Sequence, residues 1–284
     1  YYEIPARVVF RRAAGDVPEA EAIAEKAWQT FSRIGRIFNP SDPESEISRL
    51  NTSCLTDGVI VSDALFTAFS HSHALWEKSH GAFDPTVGPV KNMWRQAVEN
   101  QQIPSDRTIS SVLHSVGFGK IRLKPATGTV VSDLKGIGLD FGGIAKGFAV
   151  DAVVKQLRSE GIAHGLVQLG GEICAFGSNE GGPWCIGVQH PLDMKAVYGV
   201  IAVDGLVRVS TSGNYRQPLI IQGHRFYHIF SPKTGRPVPE KILGVTTAAF
   251  GPGHSNALLD GAATAITVLG VEEGMAFEIG RAHV

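Results

Sequence analysis

The 284-residue chain predicts an α+β fold, with mixed and antiparallel sheets packed against helices. Three observations carry that prediction. Strand-like runs cluster together, helix-like runs interrupt them at irregular intervals, and no internal repeat or linker imposes a regular β-α-β rhythm. The length is enough to bury a sizeable core, as one domain over residues 1–284 or as two intimately joined lobes.

The segment Ala6–Phe10 reads as a strand. Asp16 and Pro18 mark a helix start, and Ile23, Ala27, Phe31, Ile34 and Phe38 follow at helical spacing until the polar turn NPSDPESE. Leu65, Ala68, Phe69, Leu75 and Trp76 predict a second helix that closes at His80-Gly81, with His71, His73 and His80 on its solvated face. Residues 119–140 alternate as antiparallel strands with Gly128 in the turn. Helical spacing returns from Ile144 through Phe148, Ala152 and Val153 to Leu157, and stops at Gly161. Strands are predicted at Gly165–Leu169, Cys185–Gln189, Tyr198–Val203 and Leu219–Ile221. A small-residue helix runs from Ser255 to Leu269, and a short one follows from Val271.

Composition narrows the function. With 26 basic against 27 acidic residues and no basic cluster, the chain lacks the cationic excess of a nucleic-acid surface. No apolar run approaches the roughly 18 residues of a membrane span. Cys54, Cys174 and Cys185 are scattered and odd in number, which excludes a disulfide framework or cysteine zinc site; buried small apolar positions are expected. The chain opens at Tyr1 without a leader's basic and apolar regions, so compartment is not read from it.

Three segments carry chemistry. In Lys135–Gly147, KGIGLDFGGIAKG, four glycines before Lys146 allow close backbone approach to a ligand, and a helix beginning near Ile144 would present its N–H groups to an anion. Asp140 is placed to accept hydrogen bonds from a nucleobase or flavin edge, and Lys146 to neutralise phosphate. The pattern fits neither the dinucleotide fingerprint nor the P-loop, and a ligand-free strand-to-helix turn is the rival reading. In Asn256–Ala265, NALLDGAATA, Asp260 and Thr264 share one helix face. Their oxygens suit a hard cation such as Mg²⁺; close helix packing is the alternative. In Tyr227–Pro237, YHIFSPKTGRP, His228 precedes a tight turn and either contacts phosphate, shuttles a proton or is structural.

Smaller features are the Gly81-Ala82-Phe83-Asp84-Pro85 turn, whose aromatic either touches a planar ring or lies in the core, and Gly170-Gly171-Glu172, which is either a ligand passage or a β-bulge. Ser210-Thr211-Ser212-Gly213 offers hydroxyls to a phosphate or caps a turn.

In their order along the chain, SEISRLN, GAFDPTVGP, DFGGIAKGFAVD, GGE, STSG, YHIFSPKTGRP and LLDGAATA resemble the FAD:protein FMN transferase family, also called the ApbE family. The resemblance covers roughly residues 28–275. It implies an ApbE-like, T-fold-related architecture. It assigns Ala82, Phe83 and Asp84 to a flavin-contacting turn and Asp140, Lys146, Gly171 and Thr211 to FAD binding. Gly143 (through its carbonyl), Asp260 and Thr264 would bind Mg²⁺, and His228, with Lys146, would be catalytic or face phosphate. The implied reaction cleaves FAD and passes FMN to a Ser or Thr of an acceptor protein, releasing AMP. With water as acceptor it becomes an FAD pyrophosphatase; without catalysis, a flavin-binding module. Family partners are redox-complex subunits, and the implied location is the periplasm or the periplasmic face of the inner membrane, through an N-terminal anchor outside this chain.

Four positions depart from the family pattern. Tyr2-Glu3-Ile4-Pro5 replaces a Met-Gly-Thr segment, Ser41 a tyrosine, Ser231 an aspartate, and Glu172 the acid of a GGD triplet. The first two bear on stacking of the adenine or isoalloxazine, and Ser231 on the surroundings of His228.

Overall fold

The computed structural model describes residues 4–11, 17–134, 136–193, 195–213, 218–239 and 242–277. Its central feature is a five-stranded antiparallel sheet formed by β1 (Ala6–Arg11), β5 (His164–Leu169), β6 (Glu172–Phe176), β9 (Val207–Gly213) and β12 (Gly244–Phe250), in the order β1-β5-β6-β9-β12. Helices α1 (Val17–Phe38), α6 (Ala145–Ser159) and α7 (Asn256–Leu269) cover one face. A hairpin of β7 (Trp184–Gln189) and β8 (Val197–Val203) covers the other.

Strand alternation sets which side chains go where. Val167, Cys174 and Phe176 point to the helices and meet Ile23, Ala27, Val150, Val153, Val154 and Leu157. Leu166, Ala175, Val207 and Val209 point to the hairpin and meet Trp184 and Ile186. Each such side chain contributes about 1.5–3 kcal/mol on burial, so a one-residue slip, which would expose a whole set, is strongly disfavoured. The outer hairpin face stays exposed, and neither of its strands carries a charge.

A second core lies beneath α3 (Asp63–Lys78), where Phe69 packs edge-on to Phe141, with ring centroids 4.9 Å apart, and stacks on Phe118. A small sheet of β2 (Val59–Ile60), β4 (Thr129–Ser132) and β3 (Ile121–Lys124) flanks it, with Gly128 left-handed at φ 61° in the connecting turn. The short helix α2 (Glu46–Thr52), containing most of SEISRLN, places Asn51 to clamp the loop before Asp140: its amide donates to the Leu139 carbonyl and accepts from the Leu139 N–H. Helices α4 (Gly88–Glu99) and α5 (Asp106–Leu113) pack with the ribbon β10 (Leu219–Ile221) and β11 (His224–Phe226) around Trp94; α8 (Val271–Ala276) follows α7. Among the described residues no helix is long and apolar enough to cross a membrane.

Several expectations are corrected. Residues 133–134 and 136–140 lie outside any strand, because Asn51 and the Pro85 carbonyl take backbone groups that a strand would use. Gly170-Gly171 is the two-residue connection of the β5–β6 hairpin, not a bulge, since Leu169 pairs directly with Glu172. Ser210–Gly213 lies inside β9 and caps no turn. Cys54 and Cys185 are exposed, one in a loop and one on the outer hairpin face; only Cys174 is buried. His71 is turned inward with a buried Nδ1, and burial lowers its pKa, so it does not belong to a solvated face.

Candidate functional site

Helices α6 and α7 cross at Gly147, where an added Cβ would stand 2.2 Å from the Asn256 carbonyl oxygen. Only glycine allows that approach. Each helix then lends a carboxylate to the other's N-terminus. Asp260 of α7 accepts from the Gly147 N–H at 3.1 Å, and Asp151 of α6 accepts from the Ala257 N–H at 3.1 Å and from Ser255 Oγ at 2.8 Å. The positive end of α6 is therefore met by the protein's own acid, not left open for an anion.

A cleft of about 550 Å³ opens beside this crossing. The eleven residues that the family resemblance assigns to the site all border it: Ala82, Phe83, Asp84, Asp140, Gly143, Lys146, Gly171, Thr211, His228, Asp260 and Thr264. Ile186, Gly187, Val188 and Gln189 of β7 close another side. At the β5–β6 turn, Gly171 sits so near β9 that a Cβ would meet the Thr211 carbonyl oxygen at 2.5 Å, which brings the turn and Thr211 to the same wall.

The electrostatic centre is two buried carboxyl groups and a half-buried lysine. Lys146 Nζ donates to both oxygens of Asp260, at 2.9 and 3.1 Å, and lies 3.4 Å from Glu172 Oε1. Burial pushes the Asp260 carboxyl up, with Lys146 and the Gly147 N–H holding it partly back. Burial and then Asp260 push Glu172 up to about 8, against the pull of Lys146 and the Ser210 hydroxyl. Burial works against the Lys146 ammonium too, but Asp260 and Glu172 outweigh it and hold the group above its ordinary range. The Lys146 ammonium is thus already engaged by Asp260 within the protein.

Thr264, one turn after Asp260, donates to the Asp260 carbonyl at 3.3 Å, and its Oγ1 lies 3.3 Å from where a Gly143 Cβ would be. Asp260 and Thr264, with the Gly143 backbone close to Thr264, offer only oxygen donors, the chemistry that a hard cation takes.

The remaining residues divide by role. Burial would raise the Asp140 carboxyl, but Lys91 at 2.6 Å, together with the Gly142 N–H, holds it below the usual carboxylate range. Asp84 spends both oxygens internally, on Thr86 and on the Phe118 N–H, so it braces the turn from within. Phe83 is a core side chain: its ring edge would touch a Cβ on Gly143 at 3.0 Å and one on Gly261 at 3.3 Å. His228 stands half-buried on the cleft wall between the buried Tyr227 and Ile229. Of the departures, Ile4 and Pro5 line the cleft, Ser41 sits in an exposed turn, and Ser231 closes the 231–236 turn through backbone bonds to Arg236 and Gly235. Tyr2 and Glu3 lie outside the described residues.

Sequence reasoning missed Lys91 and the burial of Glu172. Lys91 had a signal, four residues before Arg95 on an amphipathic helix starting at Gly88-Pro89, but nothing local tied it to Asp140. The burial of Glu172 depends on β6 being an inner strand of the sheet.

A family model described as "ApbE family" matches residues 3–281. An "FAD:protein FMN transferase" of Klebsiella pneumoniae is 30% identical over 264 residues, 91% of this chain and 74% of that protein. One of Vibrio cholerae is 33% identical, over 82% of this chain and 69% of its own length. Among solved structures, the ApbE protein of Thermotoga maritima superposes with a TM-score of 0.82 at 28% identity, covering 93% of this chain and 83% of its own. The flavin transferase ApbE of Vibrio cholerae gives a TM-score of 0.81 at 28% identity, covering 96% and 85%. A match over nearly the whole sequence and a shared architecture agree: the chain belongs to the ApbE family.

Proposed function

We propose that this protein is an FAD:protein FMN transferase. It would cleave the FAD pyrophosphate with Mg²⁺ and attach FMN through a phosphoester to a Ser or Thr of an acceptor protein. The observation that carries this reading is the convergence on one cleft of an oxygen-donor set, Asp260, Thr264 and Gly143, with the residues the family resemblance assigns to FAD. The transferase names of the curated relatives support the same activity.

Bound Mg²⁺ would supply charge neutralisation for the pyrophosphate oxygens. Everything else falls to the chain. Asp140, kept ionised by Lys91, is an acceptor for N–H groups of the flavin or adenine. Gly171 and Thr211 let the ligand lie close to the sheet. The acceptor hydroxyl oxygen attacks the phosphorus of the FMN half, the bond to the bridging oxygen breaks, and AMP departs with that oxygen. His228, on the cleft wall, is the group assigned to take the hydroxyl proton. By family resemblance the acceptor is a redox-complex subunit and the reaction takes place at the periplasmic side of the membrane.

The test is to incubate the protein with FAD and Mg²⁺, with and without an acceptor domain carrying a flavinylation threonine, following AMP and acceptor mass together. A gain of one FMN on the acceptor, abolished by EDTA, is the expected result. AMP without labelling would make the protein a pyrophosphatase; FAD binding with neither product would make it a flavin-binding module.

A further inference from the structure

We propose that Glu172 is the alternative partner to which Lys146 moves when a cation takes Asp260. The inference rests on the reading of Asp260 and Thr264 as cation ligands. It starts from a conflict visible in the structure. Both oxygens of Asp260 are already engaged, by the Lys146 ammonium and, at Oδ2, by the Gly147 N–H. A divalent cation needs the same oxygens. A divalent ion on that carboxylate would stand close to the ammonium, and like charges at such a distance repel strongly away from bulk water. The cation therefore disfavours the ammonium at the same carboxylate, and the backbone N–H, fixed in a helix, is not the group that yields.

A destination lies within reach. Glu172 is fully buried, and neither of its oxygens makes a hydrogen bond, although Lys146 Nζ is only 3.4 Å from Oε1. Buried carboxylates are ordinarily hydrogen-bonded, and one left without partners is costly. Ser210 stands opposite Glu172 in the β6–β9 register, and its hydroxyl is the other group that favours the ionised Glu172. A small swing of the flexible lysine stem, away from Asp260, gives Glu172 the bond it lacks and frees Asp260 in the same movement. Lys146 then keeps a carboxyl partner in both states. Glu172 is a positioning residue in this scheme: it acts on the cation only through Lys146.

The experiment follows the rise in Tm of the whole chain as Mn²⁺ is added without FAD. The wild-type protein is expected to show a saturable rise and Asp260→Ala to show none; an absent wild-type rise, or one retained by Asp260→Ala, would sink the cation reading itself. Glu172→Gln, which preserves shape, is expected to need about tenfold more Mn²⁺ for the half-maximal rise, about 1.4 kcal/mol. In a Lys146→Met background, with no ammonium to relocate, adding Glu172→Gln is expected to change that concentration by less than about twofold. Equal weakening in both backgrounds would make Glu172 a simple negative charge and overturn the proposal, while leaving the cation reading in place. A Mn²⁺-soaked crystal of the wild-type protein gives the same decision should Lys146→Met fail to fold. Lys146 Nζ within about 3.2 Å of Glu172 and off Asp260 supports the exchange, and Nζ still bonded to Asp260 overturns it.

Discussion

The helix pair α6–α7 is tied twice by the same device, and the two ties differ in what surrounds them. At one, Asp151 reaches from α6 to the N-terminus of α7, its side chain 27% exposed and Arg208 3.6 Å away. At the other, Asp260 reaches from α7 to the N-terminus of α6 with its side chain only 1% exposed, bonded to Lys146, with Glu172 buried nearby and the cleft alongside. Capping explains both carboxylates equally well, so capping is not what makes a site. The difference lies in burial, a second acid, and a threonine one turn on: features that make the charge at Asp260 available to something besides the helix.

Removing each carboxylate breaks or sharpens the contrast most strongly. Asp260→Ala is expected to lower Mg²⁺-dependent FMN transfer by at least about tenfold, since it deletes a charged ligand. Asp151→Ala should leave turnover within about twofold while lowering stability by about 1 kcal/mol, the value of a helix cap. Equal losses of turnover in a steady-state assay would erase the distinction. Next comes the crossing that serves both ties. Gly147→Ala forces a methyl against the Asn256 carbonyl, and a drop of about 1–3 kcal/mol in urea unfolding is expected; an unchanged midpoint would show that the helices separate freely.

Two smaller effects depend on pH. Asp140 has its folded pKa depressed, so its pairing with Lys91 stabilises the protein above the unfolded carboxyl value and is lost as pH falls through the folded one. Lys91→Met should therefore lower Tm at neutral pH and converge on wild type in acid; a gap constant with pH would remove the ion pair from the explanation. Glu172 is shifted the other way, from 4.5 to about 8, so its burial costs stability progressively as pH rises between those values. Glu172→Gln should gain on wild type in Tm between pH 5 and pH 8, and a flat difference would mean that the carboxyl titrates normally.

Much of the architecture was legible because it is written in local periodicity. Helices α1, α3, α6 and α7 and strands β1, β5, β7, β8 and β10 all fall where apolar spacing puts them. Helices α4 and α5 carried readable signals as well, Val90, Met93, Trp94 and Ala97 on one face and Ser105 as a cap, but went unread. Strands β6, β9 and β12 were harder. Glu172, Ser210 and Thr247 interrupt their apolar pattern because they form one cross-strand row facing the polar contacts with α6 and α7, not the oily core. The candidate site residues came from motif order, and all eleven border one cleft, yet what each touches there depends on contacts between distant segments. Nothing local announces that Asp84 is spent on Thr86 and Phe118, or that Lys146 is shared between acids on β6 and α7.

The tight crossing at Gly147 also separates precision from adaptability. The relative placement of Asp260 and Lys146 is inherited from two regular helices held on a glycine-sized contact, whereas the rim of the cleft is built from the β7–β8 hairpin and the segment around His228. Lengthening or reshaping that rim to suit a differently shaped protein substrate would leave the lysine–carboxylate pair where it is. The core thus behaves as a fixed chuck around which the jaws can be exchanged.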